Sequence, residues 1–383
     1  MRLLHTADWH VGSTLAGMDR FDETGNLLEE LFVAAQSEKV DAVIVAGDVF
    51  DSPMPGNASQ KLVFDFFVRL SGAGIRSIVL AGNHDGQVFV PSKSLLQLGT
   101  VTVFEKPSGD QYRTTFRSRA DEPVVVTALP YPHERVVMRL NGAADDVRGD
   151  YADTVSTFIR WLGGRMSPSD LNVFASHLMI GGAQVTETER PMSVSPFFAV
   201  PAQNLPSATM YNALGHVHRH QQLAGAPARS EYAGSIFRVN FSEEGTPKGF
   251  NVVNADLRGN ITVRFCELRS AVELHNVECM PTDWLERLEP YRGKGYVKAR
   301  VHADDPPFNL QSEIRAQCPW VVKVEFLRSG QAVTARPSVE ALASTSLETV
   351  QKMYRAYNAQ ATNDLADMVA RLYEEVTHAD TDA

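Results

Sequence analysis

Gly82-Asn83-His84-Asp85 follows directly on the apolar run Ser77-Ile78-Val79-Leu80-Ala81. A short β-type run ending abruptly in these residues sets polar side chains at the carboxyl edge of a buried strand, where open α/β sheets keep their chemistry. Two earlier runs end the same way. Arg2 to Thr6 leads into Asp8-Trp9-His10, and Ala42 to Ala46 leads into Gly47-Asp48-Val49-Phe50-Asp51. Leu171 to Ala175 then delivers Ser176-His177, and Tyr211 to Gly215 delivers His216-Val217-His218. Amphipathic helices separate the first three strands. One carries Leu27, Leu28, Leu31, Phe32 and Ala35 on a single face; the next spans about Asn57 to Leu70. The β-α-β-α-β order predicts a parallel sheet.

Beyond Val101 the helices recede. Val124 to Ala128 reads as a buried strand, Tyr151 to Leu162 as a helix, and Glu231 to Glu267 as hairpins. The economical architecture for residues 1–268 is a two-sheet α/β sandwich. A small α+β domain is expected over 269–338. In its strand Gly295 to His302, Val297, Ala299 and Val301 face a core, while Lys298, Arg300 and His302 face solvent. Pro337 and the Ala/Ser/Thr-rich Glu340 to Ser346 read as a linker. Residues 339–383 then form a helical tail with two apolar stripes: Leu347, Val350, Met353, Tyr354 and Tyr357, then Leu365, Met368, Val369, Leu372 and Val376.

At 383 residues and 42.2 kDa the chain is long for one core, and 44% apolar with 21% charged residues is ordinary for a globular protein. No apolar run reaches the roughly 18–20 residues of a membrane span, and no signal peptide is expected ahead of the first strand. The three cysteines (Cys266, Cys279, Cys318) suggest neither a disulfide framework nor a zinc knuckle. A reducing cytoplasm fits. The net charge of −10 argues against a simple basic DNA-coating protein. Half of it resides in the tail, where eight acidic residues stand against three basic ones. Bound divalent cations can still reverse the sign at a site.

Asp8, His10, Asp48, Asn83, His177, His216 and His218 all offer oxygen or imidazole donors. That mixture suits Mn²⁺, Fe²⁺ or Zn²⁺ and excludes a thiolate site. Seven groups are more than one tetrahedral ion needs, and a carboxylate such as Asp48 can bridge two. In extended chain, residues i and i+2 point the same way, so Asp8/His10 and His216/His218 can each converge. His220, two residues further on, reads as a surface histidine; His5 and His133 read as structural.

The set Asp8-x-His10, Gly47-Asp48-(x)2-Asp51, Gly82-Asn83-His84-Asp85, His177 and Gly215-His216-x-His218 resembles the calcineurin-like metallophosphoesterases. The opening Leu4 to Gly12 and Asp48-Val49-Phe50-Asp51 resemble more narrowly the bacterial SbcD nucleases, partners of the coiled-coil ATPase SbcC. The likeness spans the chain, since a capping domain and a helical tail follow the nuclease domain in that family. It implies Asp8, His10 and His218 on one metal, Asn83, His177 and His216 on the other, and Asp48 bridging, with Mn²⁺ the usual activator. It further implies that His84 faces the scissile phosphate and assists the leaving oxygen, supported by the carboxylate of Asp51. The implied function is a two-metal exonuclease and endonuclease on DNA ends and hairpins, in repair, recombination and replication. The implied assembly is a homodimer within a heterotetramer with the ATPase, cytoplasmic and nucleoid-associated, with no membrane. Lys298 and Arg300 are read as DNA-phosphate contacts and the tail as the ATPase-docking element.

Three rivals set the terms of a test. A phosphoprotein phosphatase of this superfamily carries Arg directly after Gly-Asp-(x)2-Asp, where this chain has Ser52. A cyclic-nucleotide phosphodiesterase seldom needs an accessory domain followed by a paired amphipathic tail. A non-catalytic DNA-end binder needs neither the complete ligand set nor His84. No Gly-x4-Gly-Lys-Ser/Thr occurs, so ATP dependence has to come from a partner.

Overall fold

The structure is a computed structural model that describes residues 1–86, 88–89, 100–133, 150–186, 188–189 and 198–328. The tail with its two stripes, the linker before it and the last residues of the expected capping domain lie outside the described residues.

In chain order the strands are β1 (Arg2–Thr6), β2 (Thr14–Leu15), β3 (Met18–Asp19), β4 (Ala42–Ala46), β5 (Arg76–Leu80), β6 (Val101–Phe104), β7 (Arg113–Arg117) and β8 (Pro123–Leu129). They continue with β9 (Leu171–His177), β10 (Tyr211–Gly215), β11 (Gln221–Gln222), β12 (Ser230–Tyr232), β13 (Gly249–Ala255) and β14 (Ile261–Glu267). The last three are β15 (Leu274–Cys279), β16 (Tyr296–His302) and β17 (Val321–Leu327). The helices are α1 (Phe21–Ser37), α2 (Asn57–Gly72), α3 (Asp150–Gly163), α4 (Trp284–Leu288) and α5 (Leu310–Gln317).

Two six-stranded sheets form, in the orders β14-β13-β1-β4-β5-β6 and β11-β12-β10-β9-β8-β7. Their central strands run parallel: β1 with β4, β4 with β5, β8 with β9, and β9 with β10. The alternation of each strand divides its apolar side chains between two layers. Leu3, Ile44, Ile78, Val126, Val173 and Ala213 meet between the sheets. Leu4, Val43, Val45 and Val79 point outward and pack under α1 and α2, against Leu27, Leu28, Leu31, Val63 and Phe67. On the far side, Leu129, Phe174 and Leu214 pack under Val155, Ile159 and Leu162 of α3. The result is a four-layer α/β sandwich. Each fully buried Leu, Val or Phe is worth about 1.5–3 kcal/mol relative to exposure, so the strands have to be apolar on both faces. That is why β4 reads Ala-Val-Ile-Val-Ala without a break.

The chain packs as one compact unit over Met1–Ser329. Within it, β15, β16 and β17 make a separate parallel sheet with a core of its own, in which Val297, Ala299 and Val301 meet Trp284, Leu288, Leu310 and Ile314. The opposite face carries Lys298, Arg300 and Lys323 and lines a cleft of 720 Å³ beside the turn Asn240 to Glu244. Neither cation of β16 stands free in solvent, as the alternation alone suggested. Lys298 lies 3.7 Å from Glu325, and Arg300 lies 2.8 Å from Glu278 and 3.6 Å from Glu325 on the flanking strands. Among the described residues, no helix is long and apolar enough to cross a membrane.

Candidate active site

Five strands end at one place. The parallel order puts the carboxyl ends of β1, β4 and β5 side by side in one sheet and those of β9 and β10 side by side in the other. There the two sheets touch through backbone and need glycine. A Cβ on Gly215 would lie 1.9 Å from the carbonyl oxygen of Ala46. Gly47 has φ +94°, and its Cβ would meet the His177 ring at 2.1 Å. The loops are then tied across: Asp8 N–H donates to Gly47 O and His10 N–H to Asp48 O, both at 3.0 Å. His216 N–H donates to the Asp8 carboxylate at 3.1 Å, and His84 N–H donates to Asp48 Oδ1 at 2.8 Å.

All seven residues expected to hold metal meet here. Asp8, His10, Asp48, His177, His216 and His218 are each 4% exposed or less. His10 Nε2 and His218 Nε2 face each other at 3.1 Å. His177 Nε2 lies 3.1 Å from Asn83 Oδ1, 3.3 Å from His216 Nδ1 and 3.4 Å from Asp48 Oδ2. His216 Nδ1 is 3.0 Å from Asn83 Oδ1. The ligand atoms of Asp8, His10 and His218 lie within 4.8 Å of one another. Those of Asp8, Asp48 and His177 do so too, as do those of His10, Asp48 and His84.

Whether these groups fit a cation is decided by their outward nitrogens. His177 Nδ1 is 2.7 Å from the carbonyl of Ala46, an acceptor, so it carries a proton, and once Nε2 gives up its own proton its lone pair points into the cluster. His10 Nδ1 lies 3.4 Å from Asp51 Oδ1 and His218 Nδ1 lies 2.6 Å from Thr188 Oγ1, which turns both Nε2 atoms the same way. Lone pairs converging at about 3 Å repel unless positive charge lies between them. Protons can bridge single pairs; a multivalent ion satisfies several donors at once. The residues fit divalent cations.

The electrostatics follow from burial. It pushes the Asp8 carboxyl above its usual range. Asp48 is buried as deeply, yet the charge and hydrogen bond of His177 hold it well below. For His177 burial favours the neutral ring, but Asp48 and Asp8 outweigh it and push the ring up to about 9. A cation entering here competes with protons for the same nitrogens.

His84 stands at the rim, its side chain 16% exposed against 3% for Asp48. Its Nδ1 lies 2.9 Å from the main-chain oxygen of Asp51, and its Nε2 is 3.9 Å from Asp48 Oδ2. The Asp51 carboxylate lies 3.4 Å from His10 Nδ1 and acts on His84 through its charge, while the Asp51 carbonyl makes the hydrogen-bond contact to the His84 ring. His220 is likewise half-buried and not a surface residue, with its ring stacked on Phe265 at 3.9 Å and its Nε2 3.6 Å from Glu231.

Three parts of the site escaped the sequence. Asp85 is fully buried and accepts from Phe50 N–H (2.8 Å) and Gly82 N–H (2.7 Å), stapling the β4 loop to the β5 loop. Burial and then the charge of Asp48 push its carboxyl up to about 7, against the pull of those two N–H groups. Tyr131, just past β8, sets its ring 5.8 Å from His216 and 6.1 Å from His177. Glu243 and Lys248 form a buried ion pair of 2.8 Å behind His218. Asp85 lay within the quoted motif; the others carry no local pattern.

The calcineurin-like phosphoesterase family model matches residues 1–218. The chain is 34% identical over 263 residues to the SbcD component of the SbcCD nuclease from Bacillus subtilis (strain 168), covering 67% of this chain and 66% of that protein. It is 32% identical over 268 residues to the protein of the same name from Escherichia coli (strain K12), covering 66% and 64%. To that of Rhodobacter capsulatus it is 32% identical over 322 residues, covering 80% and 78%. The matched stretch spans slightly less than two thirds of the first two relatives.

Proposed function

The chain belongs to the calcineurin-like phosphoesterases, and from that premise we propose that it is a Mn²⁺-dependent DNA nuclease, the nuclease component of an SbcCD-type complex. The observation that carries the proposal is the convergence of inward-facing imidazole nitrogens on buried Asp8 and Asp48 at the meeting of five strand ends. Asp8, His10 and His218 would hold one divalent cation, Asn83, His177 and His216 the other, with Asp48 between them. When bound, the two cations supply Lewis-acid activation of the phosphodiester and of an attacking water.

The protein's own part is positioning and proton transfer. His84 donates Nδ1–H to the Asp51 carbonyl, which fixes the ring and leaves Nε2 to carry the mobile proton. The carboxylate of Asp48, 3.9 Å away, favours the charged ring, and the rim position gives Nε2 access to a leaving oxygen. Lys298 and Arg300 would meet DNA phosphates by exchanging their glutamate partners. Residues 339–383 would dock on the coiled-coil ATPase through the two apolar stripes, with the homodimer inside a heterotetramer.

The test compares hydrolysis of a linear duplex, a phosphopeptide and a cyclic nucleotide in Mn²⁺. The duplex should be cleaved and the other two spared. His84→Ala should keep its Mn²⁺ content and lose about 10²–10⁴-fold in rate. A variant of near-normal rate would remove His84 from the chemistry, and a preference for the phosphopeptide or cyclic nucleotide would overturn the nuclease reading.

A further inference from the structure

Among the proposed metal ligands, His177 and His218 are held in different ways. His177 is fixed by a main-chain carbonyl. His218 is clamped from three sides. Its N–H donates to Glu189 Oε1 (2.9 Å), its carbonyl accepts from Lys248 Nζ (3.1 Å), and its Nδ1 lies 2.6 Å from Thr188 Oγ1. Only Nε2 remains, and it faces His10 Nε2.

Behind Thr188 stands Glu243. Its Oε1 accepts from Thr188 Oγ1 at 2.6 Å, and its Oε2 accepts from Val239 N–H at 2.8 Å and from Lys248 Nζ at 2.8 Å. Lys248 is completely buried, and its three donors find three acceptors: Glu243, Ser235 Oγ (2.8 Å) and the His218 carbonyl. The turn is also held from outside, where Glu244 Oε2 accepts from Asn276 Nδ2 (2.9 Å) in the small sheet. A hydroxyl has one proton. With an ionised carboxylate before it, Thr188 gives that proton to Glu243 and turns a lone pair to His218, so Nδ1 has to be the donor and Nε2 the bare nitrogen.

We infer that Thr188 and Glu243, the latter locked by Lys248, are positioning residues that set the tautomer and ring angle of His218 and thereby the affinity of the metal position it shares with His10. The inference rests on the two-cation reading above. A partner behind a ligating imidazole is worth about 10–100-fold in metal affinity.

The test is Mn²⁺ titration of the full chain, read by calorimetry and by the free-Mn²⁺ electron paramagnetic resonance signal. Wild type should bind two ions. Thr188→Val keeps the shape and removes the hydroxyl; it should bind one ion as wild type does and the other about 10–100-fold more weakly. Thr188→Ser should restore the second ion. Glu243→Gln should repeat the Thr188→Val result, and if it fails to fold, the threonine pair alone decides. Two ions bound with unchanged affinity by Thr188→Val would overturn the inference. Equal weakening of both ions, or no rescue by serine, would do the same, since either marks general loosening. A wild type that binds fewer than two ions would instead overturn the two-cation reading, and this inference with it.

Discussion

Asp8, His10, Asp48 and His216 share a backbone feature that ligand chemistry alone does not demand: φ of +52°, +43°, +50° and +100°. A non-glycine residue there costs on the order of 1–3 kcal/mol, and such strain persists only where the surroundings over-determine it. Here the main-chain bonds from Asp8 to Gly47 and from His10 to Asp48 hold the loops, so the ligands are turned inward before any ion arrives. At the same scale, His5 behaves as a purely structural residue. It is fully buried with Nδ1 2.9 Å from the Tyr211 hydroxyl, and burial lowers its pKa to about 3, against the opposing pull of Glu231. The sign follows. Above pH 6.5 the ring is neutral folded and unfolded, and it adds no pH dependence. Between 6.5 and about 3 only the unfolded chain takes up the proton, so stability falls with falling pH. The slope is up to about 1.4 kcal/mol per pH unit. His5→Gln should show a shallower loss of stability over that window in urea denaturation; an unchanged slope would show that the ring titrates freely in the fold.

At the scale of elements, the site depends on how closely β4 and β10 end against each other. Gly215 closes β10, and its missing side chain lets the Ala46 carbonyl approach while His177 reaches that same carbonyl from β9. Gly215→Ala would put a methyl 1.9 Å from that oxygen, and a backbone atom cannot swing away as a flexible side chain could. Overpacking typically costs about 1–3 kcal/mol, and here it also levers apart the strand ends that carry His177 and His216. The variant should melt several degrees lower and lose Mn²⁺ binding even at temperatures where it remains folded. Wild-type binding in the variant would show that the sheets can separate without disturbing the ligands.

Across the whole molecule, the small sheet sits against the sandwich through the turn that carries Glu243, and its outer face offers Lys298, Arg300 and Lys323 to one cleft. The cross-strand partners Glu278 and Glu325 already neutralise part of that charge. Such half-exposed pairs are worth little in stability, so exchanging a glutamate for a phosphate is energetically close to even. Replacing both Lys298 and Arg300 with Ala should leave the fold intact and weaken duplex binding. It should also flatten the slope of log affinity against log salt by about one unit per lost contact. An unchanged slope would assign the pair to holding the small sheet together.

The sequence by itself determined the sandwich, its parallel strands and the seven converging donors. Those are written locally: apolar runs of strand length, helical periodicity between them, and a polar cluster at each carboxyl end. Ligands on consecutive strand ends need no long-range information beyond the rule that parallel strands put like ends together. The tertiary structure alone decided what stands behind them. Asp51 sets its carboxylate 3.4 Å from His10 Nδ1 and its carbonyl 2.9 Å from His84 Nδ1, an arrangement that depends on how the loop after β4 lies against both rings. Lys298 and Arg300 alternate as expected, but whether they meet water or glutamate depends on the register of β15 and β17. Glu243 and Lys248 lie in an ordinary stretch before β13, and nothing local marks them as buried. Their pairing with each other and with Thr188, 55 residues away, arises only when β10 and the turn before β13 are packed together. Local periodicity encodes which face of a strand is buried, whereas the partner of a buried charge is chosen by the fold.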